Sequence, residues 1–228
     1  MSAPPWLGVV FDYVGPDTDL PIGTVDPWGL LCGYDFSVKK RIQVNLGMST
    51  GYQIYDQHGV YFLTFSIVDW IDIFSRKGYK DIIIDSLKYC VSAKGLIVYG
   101  YVIMTNHMHI IVRSESGKLS DTIRDFKKFT AKKIIEAIQR EPESRREWIL
   151  HRLAWNASKH ARNSNYQLWT HNNHAIQITS RPFFYQRLNY VHENPVRAGI
   201  VARAEDYLYS TARSLMENNK VHFELHGV

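Results

Sequence analysis

Two histidines, His107 and His109, stand one residue apart inside an otherwise apolar run, "YVIMTNHMHIIVRS", residues 101–114. On a β-strand the side chains at i and i+2 project from the same face. This spacing therefore predicts two imidazoles side by side, with Met108 turned into the opposite layer. Such a pair can supply two ligands to one metal ion, with the other coordination positions filled from elsewhere.

Other readings of the pair compete. A core or edge histidine pair held by hydrogen bonds is one. A cupin-like site needs further His and Glu partners on neighbouring strands, and none is suitably spaced. A histidine-triad nucleotide hydrolase needs a third histidine at the next alternate position, which is Ile111.

A second constellation is "YVHENPVRAG", residues 190–199. On a helix Tyr190 and Asn194 are i and i+4 and share a face. Pro195 disfavours helix at the residue before it, so the helix is expected to end at Asn194. A tyrosine can attack phosphorus as a nucleophile. A phenol titrates near 10 in water, so it needs help from a metal or from basic groups. A divalent ion held by His107, His109 and Asn194 could bind a phosphate oxygen and stabilise transition-state charge. Lys127, Lys128, Lys132 and Lys133 could steer a phosphate backbone, or could form a solvated helix face. Arg187 and Arg197 carry the same two readings. His192 lies two positions round the helix from Tyr190 and is expected to face elsewhere. Trp155 and Trp169 could stack on bases, but core packing is the expectation for each. His171 and His174 sit in a polar loop, where a surface role is expected.

Hydrophobic patterning predicts the elements that must position these groups. A β-branched and aromatic run over residues 59–68 reads as a strand. Residues 77–93 read as a helix ended by Gly95. Residues 96–104 and 107–114 read as two successive strands. Residues 118–139 form an amphipathic helix with Leu119, Ile123, Phe126, Ile134 and Ile138 on its apolar side. Residues 141–161 read as a further helix and 165–178 as a loop and strand. A last helix is capped by Ser180, with Pro182 in its first turn. The order is that of an α+β protein with a small antiparallel sheet and helices packed on it.

Composition sets looser bounds. The chain has 228 residues, 45% hydrophobic content, a formal charge of +5 and a pI near 9.1. This suits one domain plus an extension, with a mild basic excess compatible with a polyanionic partner. Residues 1–47 are rich in Pro, Gly and Asp and read as an N-terminal extension, either a disordered arm or the product of a mis-set start. The catalytic domain is expected over 48–228. Cys32 and Cys90 are far apart and suggest a reduced, cytoplasmic protein. Neither a signal peptide nor a membrane-spanning run is expected.

Together the two motifs resemble the single-tyrosine HUH transposases, most closely the REP-associated tyrosine transposases. Those proteins carry M-P-N-H-hydrophobic-H on a strand, matched here by "MTNHMHIIV" (104–112). They carry Y-x-x-x-N-P-V-x-A-G on a later helix, matched at every fixed position from Tyr190 to Gly199. Their Y-x-W-S-S-type segment is similar to "DYLYSTARS" (206–214). Thr105 replaces the usual proline, while Tyr209 and Thr211 replace the usual Trp and second Ser. The resemblance covers about residues 52–214.

It implies a ferredoxin-like sheet of the HUH endonuclease type, with the histidines on a central strand. It implies Tyr190 as nucleophile, His107, His109 and Asn194 as metal ligands, and Mg²⁺ or Mn²⁺ as the ion. The partner would be single-stranded or hairpin DNA, nicked and rejoined through a 5′-phosphotyrosine by a monomer or a homodimer. Alternatives are a domesticated DNA-binding protein without turnover and an HUH replication or mobilisation nickase.

Overall fold

The computed structural model describes residues 53–159 and 165–213. The expected N-terminal extension therefore lies outside the described residues. Along the chain run β1 (Tyr61–Ser66), α1 (Lys77–Lys94), β2 (Leu96–Ile103), β3 (His107–Ser114), α2 (Leu119–Arg140), α3 (Arg146–Ser158), β4 (Ile176–Gln177) and α4 (Arg181–Arg197). The sheet order is β2-β3-β1-β4 and every pairing is antiparallel. This is the ferredoxin-like βαββαβ arrangement, with α3 inserted before the last strand and α4 added after it.

Alternation along the strands divides the sheet into two faces. Met108, Ile110 and Val112 of β3 share one face with Leu63 and Phe65 of β1, and all are fully buried. Phe65 meets Phe126 of α2 on this side, and α1 packs on both α2 and β2. The expected apolar side of α2 is all buried. The opposite face carries His107 and His109, and α4 packs over it against β2 and β3. Gly100 of β2 permits that approach: a Cβ there would sit 2.5 Å from Leu188 Cδ1 of α4.

Local chemistry sets the helix ends. Gly95 adopts φ 63°, suited to a residue without a Cβ, and donates its N–H to the Cys90 carbonyl. The Ser180 hydroxyl accepts from the Phe183 N–H to start α4, with Pro182 in its first turn. Two expected bounds need correction. The helix expected from residue 141 begins only at Arg146, because Glu143 is used in the turn before it. Its buried carboxylate pairs with Arg76 at 3.1 Å and accepts from the Arg145 N–H. The helix expected to end at Asn194 runs on to Arg197 with Pro195 inside it. Val191 and Pro195 are both buried, so packing outweighs the local preference of the residue before proline.

Past α4 the chain returns along the free edge of β2. Ile103 N–H donates to the Tyr209 carbonyl and Thr211 N–H to the Tyr101 carbonyl, with a bridge between Val102 and Ser210. Tyr209 to Thr211 of the "DYLYSTARS" segment therefore cover a strand edge that would otherwise be open. Among the described residues no helix is long and apolar enough to cross a membrane.

Candidate active site

The histidine pair sits where strand alternation predicts, at the centre of the sheet. Across β3, His109 lies opposite Thr64 of β1 on one side and Val102 of β2 on the other. The two imidazole rings are 4.8 Å apart between centroids. Each ring has one nitrogen occupied. His107 Nδ1 meets Asn106 Oδ1 at 2.7 Å, and His109 Nδ1 meets Thr64 Oγ1 at 2.8 Å. The Asn106 amide nitrogen is already donating to the Trp70 carbonyl, so its oxygen is the acceptor and His107 Nδ1 carries the proton. That tautomer leaves the lone pair on His107 Nε2. His109 takes the same tautomer when Thr64 Oγ1 accepts. Hydrogen bonds of this kind orient ligand histidines in metal sites.

The floor beneath the pair is aromatic. Phe62 of β1 stacks on His109 at 5.3 Å and meets the Tyr190 ring edge-on at 5.9 Å. Tyr190, reaching down from α4, lies 5.3 Å from His109 between ring centroids. Nucleophile candidate and histidine pair thus come together within one chain. Asn194 follows by one helical turn on the same face of α4. Neither the Tyr190 hydroxyl nor the Asn194 amide makes a hydrogen bond among the described residues.

Two cations flank Tyr190. The Arg197 guanidinium lies over its ring at 4.2 Å and donates to the Tyr190 backbone carbonyl at 3.0 Å. Arg187, one turn earlier on α4, packs over Phe62 at 5.4 Å and Phe183 at 4.8 Å. Its Nε is buried without a hydrogen-bond partner among the described residues. Burial, reinforced by the nearby charges of His107, Arg197 and Arg187, pushes His109 down to about 3. Burial also lowers His107. Both rings are therefore neutral at physiological pH, the form that can ligate a metal.

The donor set is compatible with a divalent ion. Two imidazole Nε2 atoms and one amide oxygen would leave coordination positions open for water and substrate oxygens. No group of three His, Cys, Asp or Glu able to hold a metal ion occurs among the described residues. The nitrogen ligands suit Mn²⁺ better than Mg²⁺.

Other expected residues fall elsewhere. Lys128, Lys132 and Lys133 are exposed on α2, which packs on the sheet face opposite Tyr190, and Lys133 pairs with Glu136. Lys127 is not part of a solvated face. Its ammonium donates to the Thr170 carbonyl and to Asn173 Oδ1, and burial pulls it down to about 8. His192 bonds Thr211 Oγ1 at 3.0 Å, is pushed down to about 4 by burial, and faces away from the pair as expected. Trp169 is core, with its indole N–H on Thr130 Oγ1. Trp155, also expected to pack in the core, is 55% exposed. His171 and His174 are exposed. Two clefts, of about 540 and 500 Å³, are not lined by His107 or His109: one lies between α1 and α2 and one near His171. At the candidate site His109 is buried, while His107 and Tyr190 are half-buried.

No sequence signal marked Thr64 or Trp70, which lie beside the pair; Asn106 is a fixed position of the strand motif, but its hold on His107 was not read from it. Each depends on strand register or on the loop after β1.

The chain is similar to a solved structure of a REP-associated tyrosine transposase bound to a REP hairpin. The TM-score is 0.53 and the identity 17%, over 79% of this chain and 93% of that one. At that identity the likeness establishes the fold alone, an α+β ferredoxin-like sheet with helices packed on it. No family model matches the chain. No curated protein matches it.

Proposed function

We propose that this chain nicks single-stranded DNA and transfers the cleaved strand through a covalent tyrosyl intermediate, as a transposase. The observation that carries the reading is the approach of Tyr190 to His109, 5.3 Å between rings, with both histidine Nδ1 atoms already engaged. A phenol beside two oriented imidazoles has a direct use in phosphoryl transfer. The sequence motifs and the fold likeness favour the same chemistry. The neighbour's hairpin makes hairpin-bearing DNA the first substrate to try.

In this reading Tyr190 Oη attacks the scissile phosphorus in line. An O–P bond forms to the phenol, the P–O3′ bond breaks, and the phenol's proton balances the departing 3′-alkoxide. The products are a 5′-phosphotyrosine and a free 3′-OH. A second 3′-OH reverses the step and joins a new strand, so the bond energy is kept and no nucleotide cofactor is consumed. His107 Nε2, His109 Nε2 and the Asn194 amide oxygen would hold Mn²⁺ or Mg²⁺, which supplies Lewis-acid polarisation of a phosphate oxygen when bound. Asn106 keeps His107 in the ligating tautomer, and Thr64 does the same for His109 when its hydroxyl accepts from Nδ1. Arg187 and Arg197 offer donors to the phosphate oxygens on either side of Tyr190. The lysines of α2 act at most through long-range steering from the far face.

The test is cleavage of an end-labelled, hairpin-bearing single strand with Mn²⁺ present. Wild-type protein is expected to yield a nicked product and a covalent protein–DNA band. Tyr190→Phe is expected to lose both while still binding the DNA. Nicking by Tyr190→Phe would remove the nucleophile. Tight binding without any nicking by the wild type would leave a DNA-binding protein.

A further inference from the structure

Trp70 is placed against the interest of the fold. Its indole is 63% exposed to water. Its backbone has φ 54°, and Asp69 before it has φ 52°. Two consecutive residues with a Cβ thus occupy the left-handed region, which costs free energy and persists only where the surroundings impose it. An exposed ring returns little burial in exchange.

The surroundings do impose it. Asp69 Oδ2 accepts from Arg152 Nη2 at 2.5 Å and from Asn156 Nδ2 at 2.8 Å, which ties the turn to α3. The Trp70 carbonyl accepts from Asn106 Nδ2 at 3.3 Å, and Asn106 is the residue that orients His107. The indole meets the His107 ring edge-on, 5.8 Å between centroids and 73° between planes. Held from α3 and from the β2–β3 turn, the indole is fixed relative to the histidine pair. The one carboxylate of the turn beside it, Asp69, is ion-paired with Arg152 and presents little repulsion to a polyanion. Two other exposed aromatics, Tyr89 and Phe129, lie on α1 and α2, on the opposite side of the sheet, whereas the Trp70 ring meets His107.

We propose that Trp70 is a stacking platform for one unpaired base of the DNA strand, at the nucleotide adjoining the phosphate that Tyr190 attacks. The proposal rests on the reading of the site as a DNA nickase and adds a subsite to it. A rigid, flat, water-exposed ring suits an unstacked base of any identity. Fixing that base fixes the register of the backbone over the histidines, so the platform sets which phosphate is presented. Its role is in positioning, with no share in the bond changes.

The test uses Tyr190→Phe protein in EDTA, so that neither cleavage nor metal affinity enters. Binding is measured for a hairpin-bearing single strand and for a series in which one nucleotide at a time is made abasic. With Trp70 present, one abasic position at the cleavage site should weaken binding about tenfold. With Trp70→Ala, the intact strand should bind about tenfold more weakly. That same abasic position should then cost nothing further, while penalties at other positions persist. Identical abasic profiles with and without the indole, or unchanged affinity of the intact strand, would overturn the platform while leaving the nickase reading in place. Failure of both proteins to bind any strand would overturn the DNA reading and the platform with it. Trp70→Gly supplies the folding control, since glycine accepts this backbone without the steric strain of a Cβ. It should melt no lower than the parent yet bind as weakly as Trp70→Ala. A marked fall in melting temperature would mean that the indole serves the fold.

Discussion

The two faces of β3 are built to different ends. Met108, Ile110 and Val112 face α1 and α2, carry no polar side-chain atom to satisfy, and are fully buried. One residue out of phase, His107 and His109 face α4 and keep their ring nitrogens half satisfied. The first face gains stability from complementary packing. The second keeps two imidazoles, a half-buried phenol and two nearby guanidiniums together. A single strand thus has a packed core on one side and the candidate site on the other, with the rigidity of the first fixing the geometry of the second. The difference also explains why α4 needs Gly100 beneath it: Tyr190 must be brought down to the sheet without a layer of side chains between.

That contrast can be broken from either side. The largest effect is expected on the chemical face. His109→Ala should lower metal-dependent cleavage by at least about a hundredfold, since even second-sphere changes at metal sites cost 10–100-fold. Truncating this buried ring also costs some stability, so the loss of cleavage is read per folded molecule. Ile110→Ala, one position along on the packed face, should do the reverse. It should cost about 2–5 kcal/mol of stability in denaturant titration, while the folded fraction keeps its cleavage rate. If the two variants behaved alike, the division of labour would fail.

Smaller changes sharpen the same contrast. Thr64→Val removes the partner of His109 Nδ1 without changing the strand, and should weaken Mn²⁺ binding by about 10–100-fold in calorimetry. Gly100→Ala should cost about 1 kcal/mol, because the end of Leu188 can shift, but should slow cleavage by lifting α4. Acid should act through the histidines of the ion-free protein. His109 is pushed to about 3 and His192 to about 4, both below the ordinary 6.5. Below pH 6.5 the unfolded chain therefore binds more protons than the folded one, and stability falls as pH falls towards 4. The slope should reach about 1.4 kcal/mol per pH unit for each histidine, and His192→Gln should flatten it.

Strand alternation alone placed the histidines side by side, and the i, i+4 spacing placed Asn194 beside Tyr190. The support of the site was not legible, because it comes from partners whose positions depend on register. Thr64 reaches His109 only through the pairing of β1 with β3, 45 residues apart. Lys127 looked like a member of a polar face because helical periodicity does not include the 168–173 loop that folds over it. Trp70 carried no signal, since its exposure and its left-handed backbone arise from the anchoring of Asp69 to α3. The end of α4 was misplaced by a local rule for proline that buried packing overrides.

The central claim is that the phenol of Tyr190 becomes the DNA attachment point at a site completed within one chain. Its most direct test is mass spectrometry of proteolysed protein–DNA adducts, formed by the wild-type chain with Mn²⁺ and a hairpin-bearing single strand. The account predicts a phosphodiester-linked nucleotide on the peptide that contains Tyr190. A nucleotide on any other residue, or efficient nicking with no adduct at all, would contradict it.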